Sequence, residues 1–238
     1  MSADLCLVLG GVRSGKSAFA ESRVASFGQL NGGSILYVAT GVAFDDEMAE
    51  RIQLHKRSRP ESWATLEEPL KLAESIIRLL GEEPSPGAVI IDSIDVWVGN
   101  LLMEYENEPK QAMEQIVTKE TDKLLVLTAM SDQSFVFVSS EVGMSLVPVE
   151  PLGRRFQDIL GTVNQRIAAT ATEVHMLVAG IPSRLSRISR RKTPLGNFIV
   201  EWQLPNEDGS VFMAVQPLGH RECVVNWPRG LLEVTTSW

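Results

Sequence analysis

The sequence predicts an α/β fold: a mostly parallel sheet with helices on both faces, plus a small β-rich appendage at the C-terminal end. Three observations carry this reading. Short apolar runs alternate with helical patterns as far as Ala179, the rhythm of strand-helix-strand units. A glycine-rich loop joins the first apolar run to the first helix. From about Ser183 the texture changes to short β-prone runs separated by turn residues.

The first run, Leu5-Cys6-Leu7-Val8-Leu9, is apolar throughout rather than alternating, as a strand buried on both faces should be. It leads into Gly10-Gly11-Val12-Arg13-Ser14-Gly15-Lys16-Ser17, which fits G-x-x-x-x-G-K-[ST] in the strand-turn-helix context that gives the pattern meaning. Glycines there let the backbone curl around phosphate oxygens with its N–H groups inward, and the helix start adds the positive end of its dipole. Lys16 is placed to reach the β- and γ-phosphates and the Ser17 hydroxyl to serve a Mg²⁺ ion, so the expected architecture is that of a phosphate-loop NTPase.

The helix after the loop is expected to end near Ser26, with a turn from Gly28 to Gly33. Ser34 to Ala39 reads as a second buried strand, and Thr40-Gly41 ends it where parallel sheets present loops to ligands. Asp45-Asp46-Glu47 open a helix that stops before Pro60, on which Glu47, Arg51, His55 and Arg59 recur every four residues as one stripe. Pro69 to Gly81 is amphipathic. Ala88-Val89-Ile90-Ile91-Asp92 is a strand ending in an acid; alone, Asp92 fits a helix cap as well as a metal ligand, and the phosphate loop favours the Mg²⁺ role. Helices follow from Asp95 to Tyr105 and from Lys110 to about Met130, broken at Asn107-Glu108-Pro109. Phe135 to Val138 is a strand, Leu152 to Thr172 a long helix, and Glu173 to Ala179 the expected last strand of the sheet.

Beyond it Arg184, Arg187, Arg190, Arg191 and Lys192 crowd a linker. Phe198 to Trp202, Val211 to Val215 and Glu222 to Trp227 then read as hairpin strands. The expected domains are 1–185 and a C-terminal extension, 186–238.

A chain of 238 residues with 44% apolar and 22% charged residues has the make-up of a globular protein with one sizeable core. A net charge of −8 gives no electrostatic reason to expect nucleic acid or an anionic membrane as partner. Cys6 and Cys223 show neither a disulfide framework nor metal-ligand spacing, and read as buried thiols in a reducing compartment. Met1-Ser2-Ala3-Asp4 carries no basic stretch, and the apolar run after it is too short for a signal peptide or membrane span. The expected location is cytoplasmic.

Of three histidines, His175 in an apolar strand and His220 after a turn read as structural or surface residues. His55 shares a helix face with two arginines that could hold a polyphosphate while a neutral imidazole (pKa about 6.5) attacks phosphorus. By spacing alone that stripe reads first as a solvated charged face, which is what such stripes usually are, with the nucleophile as the second reading.

The chain resembles the bifunctional adenosylcobinamide kinase / adenosylcobinamide-phosphate guanylyltransferase family of cobalamin biosynthesis. The resemblance is carried by Gly10 to Ser17, Tyr37-Val38-Ala39-Thr40, Asp45-Asp46-Glu47-Met48, Arg51-Ile52, His55-Lys56, Arg59-Pro60, Trp63, Thr65 and Glu67-Glu68-Pro69. It continues through Asn100-Leu101-Leu102, Glu141-Val142-Gly143-Met144, Val147-Pro148, Arg155-Phe156, Gly161, Val163-Asn164-Gln165-Arg166 and Ala179-Gly180. Each block alone is weak; their order over about residues 4 to 185 is specific.

The resemblance implies two reactions. The aminopropanol hydroxyl of adenosylcobinamide takes the γ-phosphoryl group of ATP or GTP, with Mg²⁺. GTP then loses pyrophosphate to a histidine, matched here by His55, and the GMP passes to adenosylcobinamide phosphate to give adenosylcobinamide-GDP. Residues 10 to 17, Thr40, Gly41, Val42, Lys56, Arg57, Ser58, Arg59, Glu67 and Asp92 match nucleotide-contacting positions, and a homo-oligomer, a trimer, is implied. The sequence departs from the usual pattern at Ala64, Asp95, Ser140, Ser145 and Val149-Glu150-Pro151. A kinase that lacks guanylylation, or a nucleotide-binding regulatory protein on the same scaffold, are the alternatives.

Overall fold

The computed structural model describes residues 4–42, 60–185, 198–202, 211–217 and 223–227. The helix expected between Asp45 and Pro60, with His55 on it, lies outside the described residues, as do the linker cations from Arg187 to Lys192. Residues 1–185 and 186–238 form two compact units.

In the first unit the order is β1 (Leu5–Gly10), α1 (Lys16–Leu30), β2 (Ile35–Ala39), β3 (Ala64–Glu67), α2 (Leu72–Leu80), β4 (Ala88–Asp92) and α3 (Ile94–Glu104). It continues with α4 (Lys110–Met130), β5 (Ser134–Ser140), α5 (Pro151–Thr170), β6 (Glu173–Val178) and β7 (Ile181–Leu185). The strands make one sheet in the order β3-β2-β4-β5-β1-β6-β7. Every described pairing in it is parallel except β6 with β7.

Alternation along the central strands divides the core into two layers. Leu5, Leu7 and Leu9 of β1, with Phe135 and Phe137 of β5, face α2, α3, α4 and α5, where Trp97, Leu102, Met113 and Leu160 are sealed from solvent. Cys6 and Val8, with Val136, Val138, Ile90 and Tyr37, face α1 through Ala20, Val24 and Phe27. Both faces of β1 and β5 are buried, which is why their runs are apolar without a polar beat. Trp97, 1% exposed, also finds a partner for its indole N–H in the Leu70 carbonyl at 2.9 Å, as a buried indole requires.

Two expectations need correction, and one strand is new. The first helix does not end near Ser26 but runs to Leu30: Gly28 is helical and sits so close to Ile35 that a Cβ there would lie 2.9 Å from its side chain. Glycine inside this helix thus serves close packing against β2 rather than a turn. Glu173 to Val178 is not the last strand, because Ile181–Leu185 turns back and pairs antiparallel with it. The short strand β3 was not expected; it pairs with β2 at the sheet edge, with three of its four residues exposed.

The second unit contains β8 (Phe198–Trp202), β9 (Val211–Pro217) and β10 (Cys223–Trp227), an antiparallel three-stranded sheet in the order β10-β9-β8. No helix among the described residues is long and apolar enough to cross a membrane.

Candidate active site

Four parallel strands end within two residues of one another. Gly10 of β1 is in register with Ser140 of β5, Val138 of β5 with Asp92 of β4, and Asp92 with Ala39 of β2. The loops leaving these ends form the carboxyl edge, where open α/β sheets bind ligands.

The phosphate loop is built by sterics first. A Cβ on Gly10 would collide with the Ser14 hydroxyl and lie 2.9 Å from the Leu177 carbonyl oxygen, which as backbone in β6 cannot move aside. Arg13 (φ 56°) and Gly15 (φ 90°) are both left-handed, and such alternation turns successive N–H groups toward one concave side, a nest for an anion. The α1 helix starts at Lys16, so its first-turn N–H groups lie at the same place and lack carbonyls one turn earlier in the helix. Phe19 N–H is taken by the Gly15 carbonyl at 3.1 Å, and the Gly180 N–H donates to the Ser14 carbonyl at 2.9 Å, tying the loop to the β6–β7 turn. Lys16 is folded back over the loop, its Nζ 3.3 Å from the Gly11 carbonyl oxygen. Gly11, Val12 and Arg13 are exposed on the rim, and Ser17 is half-buried on the first helical turn.

The remaining predicted residues are spread along the same edge. Asp92 accepts a hydrogen bond at Oδ2 from the Tyr37 hydroxyl at 2.8 Å. By alternation its side chain shares the α1 face with Tyr37 and Ile90, the side on which Ser17 also lies. It is two strands from β1, roughly 10 Å at the usual strand spacing. The Thr40 hydroxyl is engaged twice with Ser93, donating to its carbonyl and accepting from its N–H, both at 2.8 Å. Asn100 Nδ2 donates to the Thr40 carbonyl at 2.8 Å, so the end of β2 is locked to the start of α3. Gly41 and Val42 are exposed beyond it. Glu67 is exposed at the end of β3, four strands from β1 and so roughly 19 Å from the phosphate loop. His55, Lys56, Arg57, Ser58 and Arg59 lie outside the described residues.

Two side-chain pairs escape sequence reasoning because their members are distant in the chain. One is Tyr37 with Asp92. The other is Ser140, whose hydroxyl donates to Asp95 Oδ2 at 2.7 Å. Ser140 is itself fixed: its carbonyl accepts from Asn164 Nδ2 at 3.0 Å, Ser139 Oγ donates to Asn164 Oδ1 at 2.7 Å, and Glu141 N–H reaches the Gly10 carbonyl at 3.3 Å. The other departures are absorbed locally. Ser145 donates to the Val142 carbonyl at 2.7 Å, and Glu150-Pro151 starts α5 with proline in its first turn. Past β5, Met144, Leu146, Val147 and Val149 form an exposed apolar stretch.

The Ser17 hydroxyl and the carboxylates of Asp92 and Asp95 are all hard oxygen donors on one edge, a set that fits Mg²⁺. Asp95 Oδ1 is buried with no hydrogen-bond partner among the described residues, as an oxygen awaiting a cation would be.

Farther down α1, Arg23 donates through Nε (3.0 Å) and Nη2 to Glu173 Oε1, while His175 Nε2 lies 2.9 Å from Glu173 Oε2. Burial pushes the Glu173 carboxyl up, but the hydrogen bonds and charges of His175 and Arg23 outweigh this and hold it below the usual range. Cys6 adjoins this cluster, and burial together with the Glu173 charge pushes its thiol up to about 12. A protonated thiol and a carboxylate already engaged by arginine make this a packed ion-pair cluster, in line with the structural reading of His175.

The sequence profile of the family described as "Cobinamide kinase / cobinamide phosphate guanyltransferase" matches residues 6–185. The "Bifunctional adenosylcobalamin biosynthesis protein CobU" of Escherichia coli is 40% identical, over 74% of this chain and 97% of its own. The protein of the same description from Salmonella typhimurium is 41% identical over 74% and 97%. The "Bifunctional adenosylcobalamin biosynthesis protein CobP" of Pseudomonas aeruginosa is 36% identical over 75% and 95%. With a profile match from β1 through β7 and relatives covered almost from end to end, the chain belongs to the cobinamide kinase / cobinamide phosphate guanyltransferase family of nucleotide-binding transferases.

Proposed function

We propose that this enzyme phosphorylates adenosylcobinamide with ATP or GTP and then transfers GMP from GTP to adenosylcobinamide phosphate through a guanylyl-histidine on His55. The observation that carries this is the phosphate loop from Gly10 to Ser17, set at the carboxyl edge of the sheet in a chain matched by the family profile over residues 6–185.

In the kinase step the acceptor hydroxyl oxygen attacks the γ-phosphorus, the bond to the β-phosphate oxygen breaks with its electron pair staying on the nucleoside diphosphate, and the hydroxyl proton passes to solvent water. The nest and the start of α1 hold the phosphates, and Lys16 swings from the Gly11 carbonyl to the β- and γ-phosphates, where it offsets the charge on the transferring group. Ser17 and Asp92 would hold Mg²⁺, which would offset the negative charge that develops during phosphoryl transfer. In the second step the imidazole lone pair of His55 forms a P–N bond to the α-phosphorus as pyrophosphate leaves. An oxygen of adenosylcobinamide phosphate then displaces the histidine, returning the electron pair to nitrogen. Two in-line displacements replace one.

Thr40, Gly41, Val42, Lys56, Arg57, Ser58, Arg59 and Glu67 belong to the nucleotide contacts in this reading, and the roughly 19 Å between Glu67 and the loop suits guanylyl chemistry at a place apart from the kinase phosphates. The exposed apolar stretch from Met144 to Val149 offers a surface for the large corrinoid. Residues 1–185 form the catalytic domain in this reading, and the enzyme works as a homo-oligomer.

Incubation with α-labelled GTP and Mg²⁺ tests the reading. Acid-labile, alkali-stable label on the chain is expected, absent from His55→Ala, while that variant still phosphorylates adenosylcobinamide. A folded, kinase-active protein that takes up no label would reduce the function to the kinase step.

A further inference from the structure

We propose that Asp95 is a second carboxylate of the phosphoryl-transfer centre, holding through Oδ1 the hydrated divalent cation that accompanies the nucleotide. The inference rests on the kinase reading above and adds to it a residue that the loop motif does not contain.

Four observations lead here. Asp95 sits in the first turn of α3, three residues after the strand end that supplies Asp92. Its Oδ2 is taken by Ser140, which is in register with Gly10 on the strand adjacent to β1. Asp95 is thus linked to a point one strand from the phosphate loop, whereas Asp92 ends a strand two positions away and is bonded in the opposite direction, to Tyr37 on β2. Finally, Asp95 Oδ1 is buried and has no partner among the described residues.

A carboxylate in the first turn often serves only the helix dipole. That role needs neither an anchor on another strand nor burial of the second oxygen, and no ion pair to Asp95 occurs among the described residues. Burying an anionic oxygen without a counter-charge is costly, and the cost is relieved when a cation arrives. Ser14, 7% exposed, likewise has a buried hydroxyl without a partner, pressed against Gly10. Polar groups are therefore left unsatisfied on both the loop and Asp95, with Gly10 and Ser140 between them. The ligand class follows from the donors: a hard divalent cation that retains its waters, since Mg²⁺ and Mn²⁺ prefer oxygen and Mg²⁺ gives up its hydration reluctantly.

Ser140 is a positioning residue in this scheme. It orients the carboxylate and is held in turn by Asn164 through its carbonyl.

The test is Mn²⁺ affinity in the protein–GTP complex, read from the loss of the free-ion electron paramagnetic resonance signal, beside GTP affinity in EDTA. Asp95→Asn keeps the shape and removes the charge; it should weaken Mn²⁺ binding at least tenfold while GTP affinity without metal stays within about twofold. Ser140→Ala, which leaves the carboxylate but frees it, should weaken Mn²⁺ about threefold while GTP affinity in EDTA stays within about twofold. Wild-type Mn²⁺ affinity in Asp95→Asn overturns the assignment. Should that variant fail to fold, unchanged Mn²⁺ affinity in Ser140→Ala overturns it instead. Failure of the wild-type protein to bind GTP at all would sink the kinase reading itself, and is seen separately in the EDTA titration.

Discussion

Glu173 shows how one residue joins several elements. Arg23 reaches it from α1, His175 lies beside it on β6, Cys6 faces it from β1, and Arg184 of β7 is in register with His175. Asp4 adds a more distant negative charge acting on Arg23. Because the folded carboxyl is held below its ordinary value, about 4.3 in the unfolded chain, its contribution to stability is complete above that pH and disappears as the pH falls through the folded value. Glu173→Gln keeps an acceptor for Arg23 but loses the charge, so it should cost about 1–2 kcal/mol in urea unfolding at pH 7. The gap to wild type should shrink on acidification below about pH 4. A gap that is constant with pH would show that shape rather than charge matters here. Nothing local in the sequence announces this cluster, since its members are spaced across the whole first unit; residue chemistry becomes legible only when the spacing is short, as in Gly10 to Ser17.

At the scale of elements, α2 is tied to the turn before it through one carboxylate. Glu68 Oε1 accepts from the N–H groups of Leu70 and Lys71, both at 2.9 Å, and Oε2 accepts from Ser75 Oγ at 2.7 Å. Burial raises the Glu68 carboxyl, yet these hydrogen bonds win and hold it below its usual range. Glu68→Ala should lower stability by about 1 kcal/mol, the usual net worth of hydrogen bonds lost with a partly buried carboxylate. An unchanged urea midpoint would mean that packing of Leu72 and Ile76 holds the helix start unaided. The elements that sequence alone reveals, β1, β4, β5 and the helices between, are those whose apolar pattern is set by burial in one of two layers. Those it misses lie at the sheet's margins. β3 has only one partly buried residue and β7 none, so neither has an apolar signature, and both exist because a neighbouring strand offers an edge. The phosphate loop was legible because the motif packs all its requirements into eight consecutive residues, whereas Asp95 and Ser140, 45 positions apart, meet only through the strand order.

For the whole molecule the question is what residues 186–238 contribute. The described residues of both core layers, of the carboxyl edge and of the tie between Gly180 and the phosphate loop fall within residues 4–185. The relatives from Escherichia coli and Salmonella typhimurium are matched over 97% of their length by 74% of this chain, so their kind of chemistry is carried by a chain without such an extension. The three-stranded antiparallel sheet of the second unit has its own hydrogen-bonded ladder and adds no strand to the first sheet. A chain ending after Leu185 should therefore fold with one cooperative transition and bind GTP within about twofold of the full-length protein. The comparison is made by urea unfolding and by nucleotide titration on both chains. A truncated chain that folds but binds GTP tenfold or more weakly would give the extension a share in the nucleotide site, and the cations from Arg187 to Lys192 would be the first residues to replace. Equal affinity together with equal turnover would leave the extension outside the chemistry and turn attention to partner binding by its sheet.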